Sequence, residues 1–134
     1  MKDKHKSAYM KVAEVFAECS TANRLKVGSI CVKNDQIISI GYNGTPSGFD
    51  NKCEDENNNT LPTVIHAEMN MISKLSRSTI SSEGSTVFIT HSPCMECSKL
   101  LYQCGIKEVY YKTEYRNIDG IEFLKKCGIK IEKI

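Results

Sequence analysis

The sequence predicts an α/β protein: a three-layer α/β/α sandwich with one mixed five-stranded sheet and helices on both faces. Three observations predict it. Helix-like and strand-like patterns follow one another in the order α, β-hairpin, α, β, α, β, α, β. The run TVFIT (86–90) is continuously apolar, as a strand covered on both sides should be. The chain has 134 residues, 40% of them hydrophobic, which suits one core and one domain over 1–134.

Each element has its own signal. Tyr9, Val12, Ala13 and Phe16 recur at helical spacing, opposite Lys11, Glu14 and Glu18, so the chain begins with an amphipathic helix. VGSICVK and QIISIGY are β-rich runs separated by Asn34-Asp35, a hairpin turn pair. Residues 43–62, NGTPSGFDNKCEDENNNTLP, read as a long surface loop, and long loops in small domains often carry function. From His66 the helical pattern resumes, with Ala67, Met71, Ile72 and Leu75 on one face. After TVFIT, Ser92 is the expected N-cap and Pro93 the expected first residue of a helix that stops at Gly105. KEVYYK is a strand, Asp119 caps a helix ending at Gly128, and IKIEKI closes the chain as a strand. Beyond the hairpin the strands should be parallel, because each pair is joined through a helix.

Composition narrows the function. Charged residues are 25% and the formal net charge is +2, so nothing demands a nucleic acid or a membrane surface as partner. The charged N-terminus is followed by no unbroken apolar stretch, which argues against a signal peptide and for a cytoplasmic protein. Seven cysteines in that compartment point to metal or catalytic chemistry rather than disulfides.

Two helix starts carry the chemistry: His66-Ala67-Glu68 and Pro93-Cys94-Met95-Glu96-Cys97. Cys94 and Cys97 are three apart, so their thiols share a helical face near the positive end of the helix dipole, which favours thiolates. If both helices begin at the carboxyl edge of the sheet, His66 converges on the two thiols. One imidazole and two thiolates fit three corners of a zinc tetrahedron and leave the fourth to water, whose pKa zinc lowers towards about 7. Glu68, two residues from His66, does not share its face; it is placed to move protons rather than to bind metal. Two blander readings remain. A redox CxxC pair would leave His66 and Glu68 without a role. A closed structural zinc site would need Cys53, Cys104 or His91 as a fourth ligand. Cys31, Cys104 and Cys127 fall at core positions and read as small buried hydrophobes, and His91 either lines the pocket or is structural.

HAEMN and PCMEC resemble the cytidine deaminase superfamily, whose signature is His-x-Glu followed by Pro-Cys-x-x-Cys. GYNGTPSGF (41–49), LKVGSICVKN (25–34) and the stretch from THSPC to IEFL resemble its deoxycytidylate (dCMP) deaminases, particularly short phage-type ones, over about residues 8–132. The resemblance implies a cytidine-deaminase-like fold and one Zn2+ per chain on His66, Cys94 and Cys97, with Glu68 as proton shuttle. It implies hydrolysis of dCMP to dUMP and ammonia, supplying thymidylate synthesis. The backbone at Ala67 would hold the pyrimidine carbonyl, the Ser92 carbonyl would accept from the amino group, and Asn43 would contact the sugar. For the phosphate the candidates are Arg24, Lys26, Lys112 and Arg116, with Arg116 first and Tyr115 beside it. Relatives of this kind imply a homohexamer, activation by dCTP, and inhibition by dTTP with Mg2+. The matching regulatory segment is Val27-Gly28 with Gly41, Tyr42, Asn43 and Gly44, although those glycines could equally serve the turn alone. Cys19 and Cys53 match only half of the second zinc site of larger phage relatives, so a single zinc is expected. The alternatives are a superfamily member acting on cytidine, deoxycytidine or tRNA adenosine, and a non-catalytic zinc-stapled interaction domain.

Overall fold

The structure is a computed structural model describing residues 1–134. The elements are α1 (Asp3–Ala17), β1 (Gly28–Lys33), β2 (Gln36–Tyr42), α2 (Ala67–Ser76), β3 (Thr86–His91), α3 (Met95–Gln103), β4 (Glu108–Thr113), α4 (Asp119–Lys126) and β5 (Lys130–Lys133). They form one five-stranded sheet in the order β2-β1-β3-β4-β5. β1 is antiparallel to β2 and to β3, whereas β3, β4 and β5 are mutually parallel. The expected order and mixed sheet are therefore found. No helix is long and apolar enough to cross a membrane.

The period-2 alternation of the strands divides the core between the faces. Ile30, Val32, Phe88 and Tyr110 point to one face and pack with Met10 and Ala13 of α1. Cys31, Val87, Ile89, Val109 and Tyr111 point to the other, where Met71, Leu75, Leu101 and Leu124 of the remaining helices cover them. The hairpin turn is as expected: Asn34 and Asp35 both take positive φ, 51° and 58°, as a two-residue primed turn requires. Gly105 and Gly128, at φ 79° and 80°, stop α3 and α4.

Two caps differ from expectation. α3 begins at Met95 with Cys94, not Ser92, at the N-cap. The Ser92 hydroxyl is spent elsewhere, accepting the Tyr115 N–H at 2.9 Å. α4 begins at Asp119 itself, and the residue that meets its N–H is Asn117, whose Oδ1 accepts it at 2.9 Å. Both helices still start where a strand-to-helix crossover places them.

That placement makes the site. β3 and β4 run the same way, so their carboxyl ends lie on one edge of the sheet. β1 is antiparallel to β3 and β2 to β1, so the start of β1 and the end of β2 reach the same edge. Four chain segments meet there: the approach to β1, the loop before α2, the turn into α3 and the loop after β4.

Candidate active site

The meeting point is a cavity of about 600 Å³ whose wall includes His66, Glu68, His91, Cys94, Tyr115 and Arg116. His66 is the N-cap of α2, Cys94 the N-cap of α3, and Cys97 lies in the first turn of α3. Their ligand atoms all fall within 4.8 Å of one another. His66 Nδ1 is 3.6 Å from Cys94 Sγ and 3.4 Å from Cys97 Sγ. A tetrahedral zinc with Zn–S of about 2.3 Å and Zn–N of about 2.0 Å would set those edges at about 3.5 Å, so the donors fit the ion in number, chemistry and spacing. Neither Cys53, Cys104 nor His91 joins the group, which leaves three protein ligands and an open corner. Cys53 is buried against Thr21 Oγ1 (3.5 Å), and His91 Nδ1 lies 3.2 Å from Thr90 Oγ1.

The electrostatics follow from the crowding. Cys94 is held as thiolate, with a pKa lowered to about 4, because the Cys97 thiol and the His66 ring donate to it. Cys97 is raised, by donating to Cys94 and by burial. His66 is raised, chiefly by its bond to Cys94. Glu68 is only 4% exposed, and its burial pushes the carboxyl up to about 7. The group that stands beside the metal ligands without joining them is therefore one that exchanges a proton near neutrality.

The wall beyond the ligands is aromatic and cationic. The Tyr115 and His91 rings pack with centroids 5.5 Å apart. Burial and the nearby negative groups push the Tyr115 phenol up to about 12, so the hydroxyl keeps its proton. Arg24 and Arg116 both line the cavity, and neither forms an ion pair with a carboxylate. Ala67, at the first position of α2, is also on the wall, where a helix leaves its N–H groups free for a ligand. Ser92 is buried, and its carbonyl accepts no backbone hydrogen bond.

Other expected residues take different places. Lys112 is committed to Glu14 of α1, 3.0 Å away, and Lys26 is exposed off the cavity wall. Asn43 does line the cavity, but its amide is already occupied: Oδ1 accepts from Val27 N and Nδ2 donates to Leu25 O, both at 2.8 Å. It thereby shapes the wall by fixing residues 25–27. Gly28 and Gly41 face helix backbone, not open space. A Cβ on Gly28 would strike the Ala13 carbonyl of α1, and one on Gly41 would strike the Ala67 carbonyl of α2. Val27 lines the first cavity, while Tyr42 and Gly44 line a second one of about 430 Å³. Sequence reasoning missed Glu54, a buried carboxylate on the first cavity's wall. Nothing in the acidic run around it singles that residue out.

Comparison with known proteins agrees with this geometry. Residues 3–113 match the family model for the cytidine and deoxycytidylate deaminase zinc-binding region. ComE operon protein 2 of Bacillus subtilis is 34% identical over 131 residues, covering 94% of this chain and 69% of the relative. The deoxycytidylate deaminase of Enterobacteria phage T4 is 29% identical, covering 93% of this chain and 87% of the phage protein. The crystal structure of dCMP deaminase from cyanophage S-TIM5, in complex with dCMP and dUMP, superposes with a TM-score of 0.98 at 51% identity, covering 100% of this chain and 99% of that one.

Proposed function

This chain belongs to the cytidine and deoxycytidylate deaminase family, and we propose that it hydrolyses dCMP to dUMP and ammonia. The observation that carries the reading is a His/Cys/Cys group suited to zinc with Glu68 buried beside it, in a cavity whose wall also holds two arginines that form no ion pair with a carboxylate. When bound, zinc would supply Lewis-acid activation of water, lowering its pKa towards about 7.

The chain's own residues divide the remaining work. His66, Cys94 and Cys97 would hold the metal. Glu68 would deliver a proton to the pyrimidine ring nitrogen and then to the departing amine, the proton movement that a neutral ring needs while a nucleophile adds. The free N–H at Ala67 would hold the ring carbonyl and the Ser92 carbonyl would accept from the amino group. His91 and Tyr115 would wall the base from water. Arg24 and Arg116 would take the phosphate, as forked guanidinium donors suit it. The 51% identity and whole-chain coverage shared with the cyanophage dCMP deaminase support dCMP over other bases.

The proposal extends to regulation by dCTP and by dTTP with magnesium, and to a homohexamer. The second cavity, lined by Tyr42, Asn43 and Gly44, supports a nucleotide site; the hexamer rests on family resemblance.

The test is ammonia release by the zinc-loaded protein from dCMP and, separately, from deoxycytidine. Turnover of dCMP with little from deoxycytidine is the expected result; turnover of deoxycytidine alone would discard the substrate and keep the chemistry. Glu68→Gln should retain one zinc per chain and lose turnover by roughly 10²- to 10⁴-fold. Undiminished turnover would remove Glu68 from its role.

A further inference from the structure

Glu54 lies in the loop between β2 and α2, and its side chain turns inward to 5% exposure while the next acidic residue but one, Glu56, stays in solvent. Buried carboxylates are uncommon and usually meet a cation or a metal. This one meets neither. It accepts the backbone N–H of Asn23 at 3.0 and 3.2 Å and that of Arg24 at 3.1 Å. Both donors belong to the segment between α1 and β1, so Glu54 joins two loops that are 30 residues apart in sequence.

A second contact reaches the same arginine. Glu54 forms an isolated antiparallel bridge with Thr60, and Thr60 Oγ1 accepts from Arg24 Nη1 at 3.5 Å. The two members of one bridge therefore hold Arg24 at its two ends, Glu54 by the backbone and Thr60 by the guanidinium. The bridge is itself braced. Leu61 N–H donates to Cys53 O at 2.8 Å, and Asp55 Oδ1 accepts from Asn57 N and Asn59 N at 2.8 and 3.0 Å. Arg24, Glu54 and Thr60 all lie on the wall of the zinc-site cavity.

We infer that Glu54 is a positioning residue for the substrate's phosphate: with Thr60 it pre-sets Arg24 on the cavity wall. The inference rests on the dCMP reading above. The physical reason is entropic. An arginine on a free loop must lose backbone and rotamer freedom when it grips an anion, and fixing it beforehand removes that cost. The division of labour also preserves charge. Glu54's oxygens are occupied by main-chain N–H groups and form no ion pair with Arg24, so the guanidinium keeps its charge for the ligand.

Steady-state kinetics of the zinc-loaded protein on dCMP test this against a merely structural tie between loops. Glu54→Gln places an amide N–H₂ against main-chain N–H donors and should raise KM about tenfold while kcat stays within about twofold. Thr60→Val should raise KM by about two- to threefold. In an Arg24→Ala background, Glu54→Gln should add nothing further, since both changes remove the same contact. An unchanged KM in Glu54→Gln, a loss confined to kcat, or full additivity with Arg24→Ala would overturn the assignment. If Glu54→Gln does not fold, Thr60→Val still decides, because an unchanged KM there removes the clamp. Wild-type protein that never turns over dCMP would instead overturn the functional reading itself and the clamp with it.

Discussion

At the scale of single residues, the site separates groups by what surrounds them. Three carboxylates, Glu54, Glu56 and Glu68, differ little in sequence, but Glu56 is solvated while the other two are buried. Glu68 is buried beside the metal ligands, and that burial raises its carboxyl to about 7. Glu54 is buried against main-chain donors and becomes a brace. The cations sort in the same way. Lys112 pairs with Glu14, so its charge is spent, whereas Arg116 projects from the loop after β4 with no acidic partner. Arg116→Ala should therefore raise KM for dCMP by roughly ten- to a hundredfold, the loss of a charge-assisted hydrogen bond to phosphate, and leave the weak turnover of deoxycytidine unchanged. Equal losses on both substrates, measured side by side, would place Arg116 outside the phosphate site.

At the scale of elements, glycine decides how closely a helix can approach the sheet. α2 carries His66 and Glu68 at its start, and it lies against β2 at Gly41, where a Cβ would overlap the Ala67 carbonyl and come within 2.6 Å of Met71 N. Gly41→Ala must push α2 outward, and overpacking of this kind costs about 1–3 kcal/mol. Urea unfolding should show that loss. Zinc affinity should fall with it, because the shift moves His66 away from the two thiols on α3. A variant with unaltered stability would mean that β2 and α2 separate without strain. The expected helix starts illustrate the complementary lesson. The pattern Ser-Pro read as cap and first residue, yet α3 begins at Met95 with Cys94 as its N-cap, and Ser92 Oγ instead accepts the Tyr115 N–H from another loop. Capping preferences are local, and a tertiary donor overrode this one.

At the scale of the molecule, zinc would tie the start of α2 to the start of α3 through His66, Cys94 and Cys97, reinforcing the direct contacts between them. Metal that binds the folded chain and not the unfolded one stabilises it by mass action, by roughly 4 kcal/mol when free zinc exceeds its dissociation constant a thousandfold. Chelation should lower the thermal midpoint, and adding zinc back should restore it in a concentration-dependent way. In Cys97→Ser, which lacks one thiolate, the response to zinc should shrink markedly. A midpoint indifferent to chelator in the wild type would show that α2 and α3 are held by the apolar core alone, through Met71, Leu75 and Leu101.

The sequence by itself determined the element order, the hairpin turn, the mixed sheet and the convergence of His66, Cys94 and Cys97. These depend on signals that are local or of fixed spacing: period-2 and helical apolar patterns, the Asn34-Asp35 pair, and ligands at two helix starts. Only the tertiary structure decided which side chains share the cavity. Glu54 and Arg24 are separated by 30 residues, and Ser92 and Tyr115 by 23, and no local pattern marks either pair. Gly28 and Gly41 likewise give no sign in the sequence that they are contact points for helices until the helices that press on them are in place. Short-range preferences fix the elements, but the environment of a side chain is set by whichever distant segment packs against it. That environment is what distinguishes a carboxyl buried against main-chain donors, one buried beside metal ligands and one left in solvent.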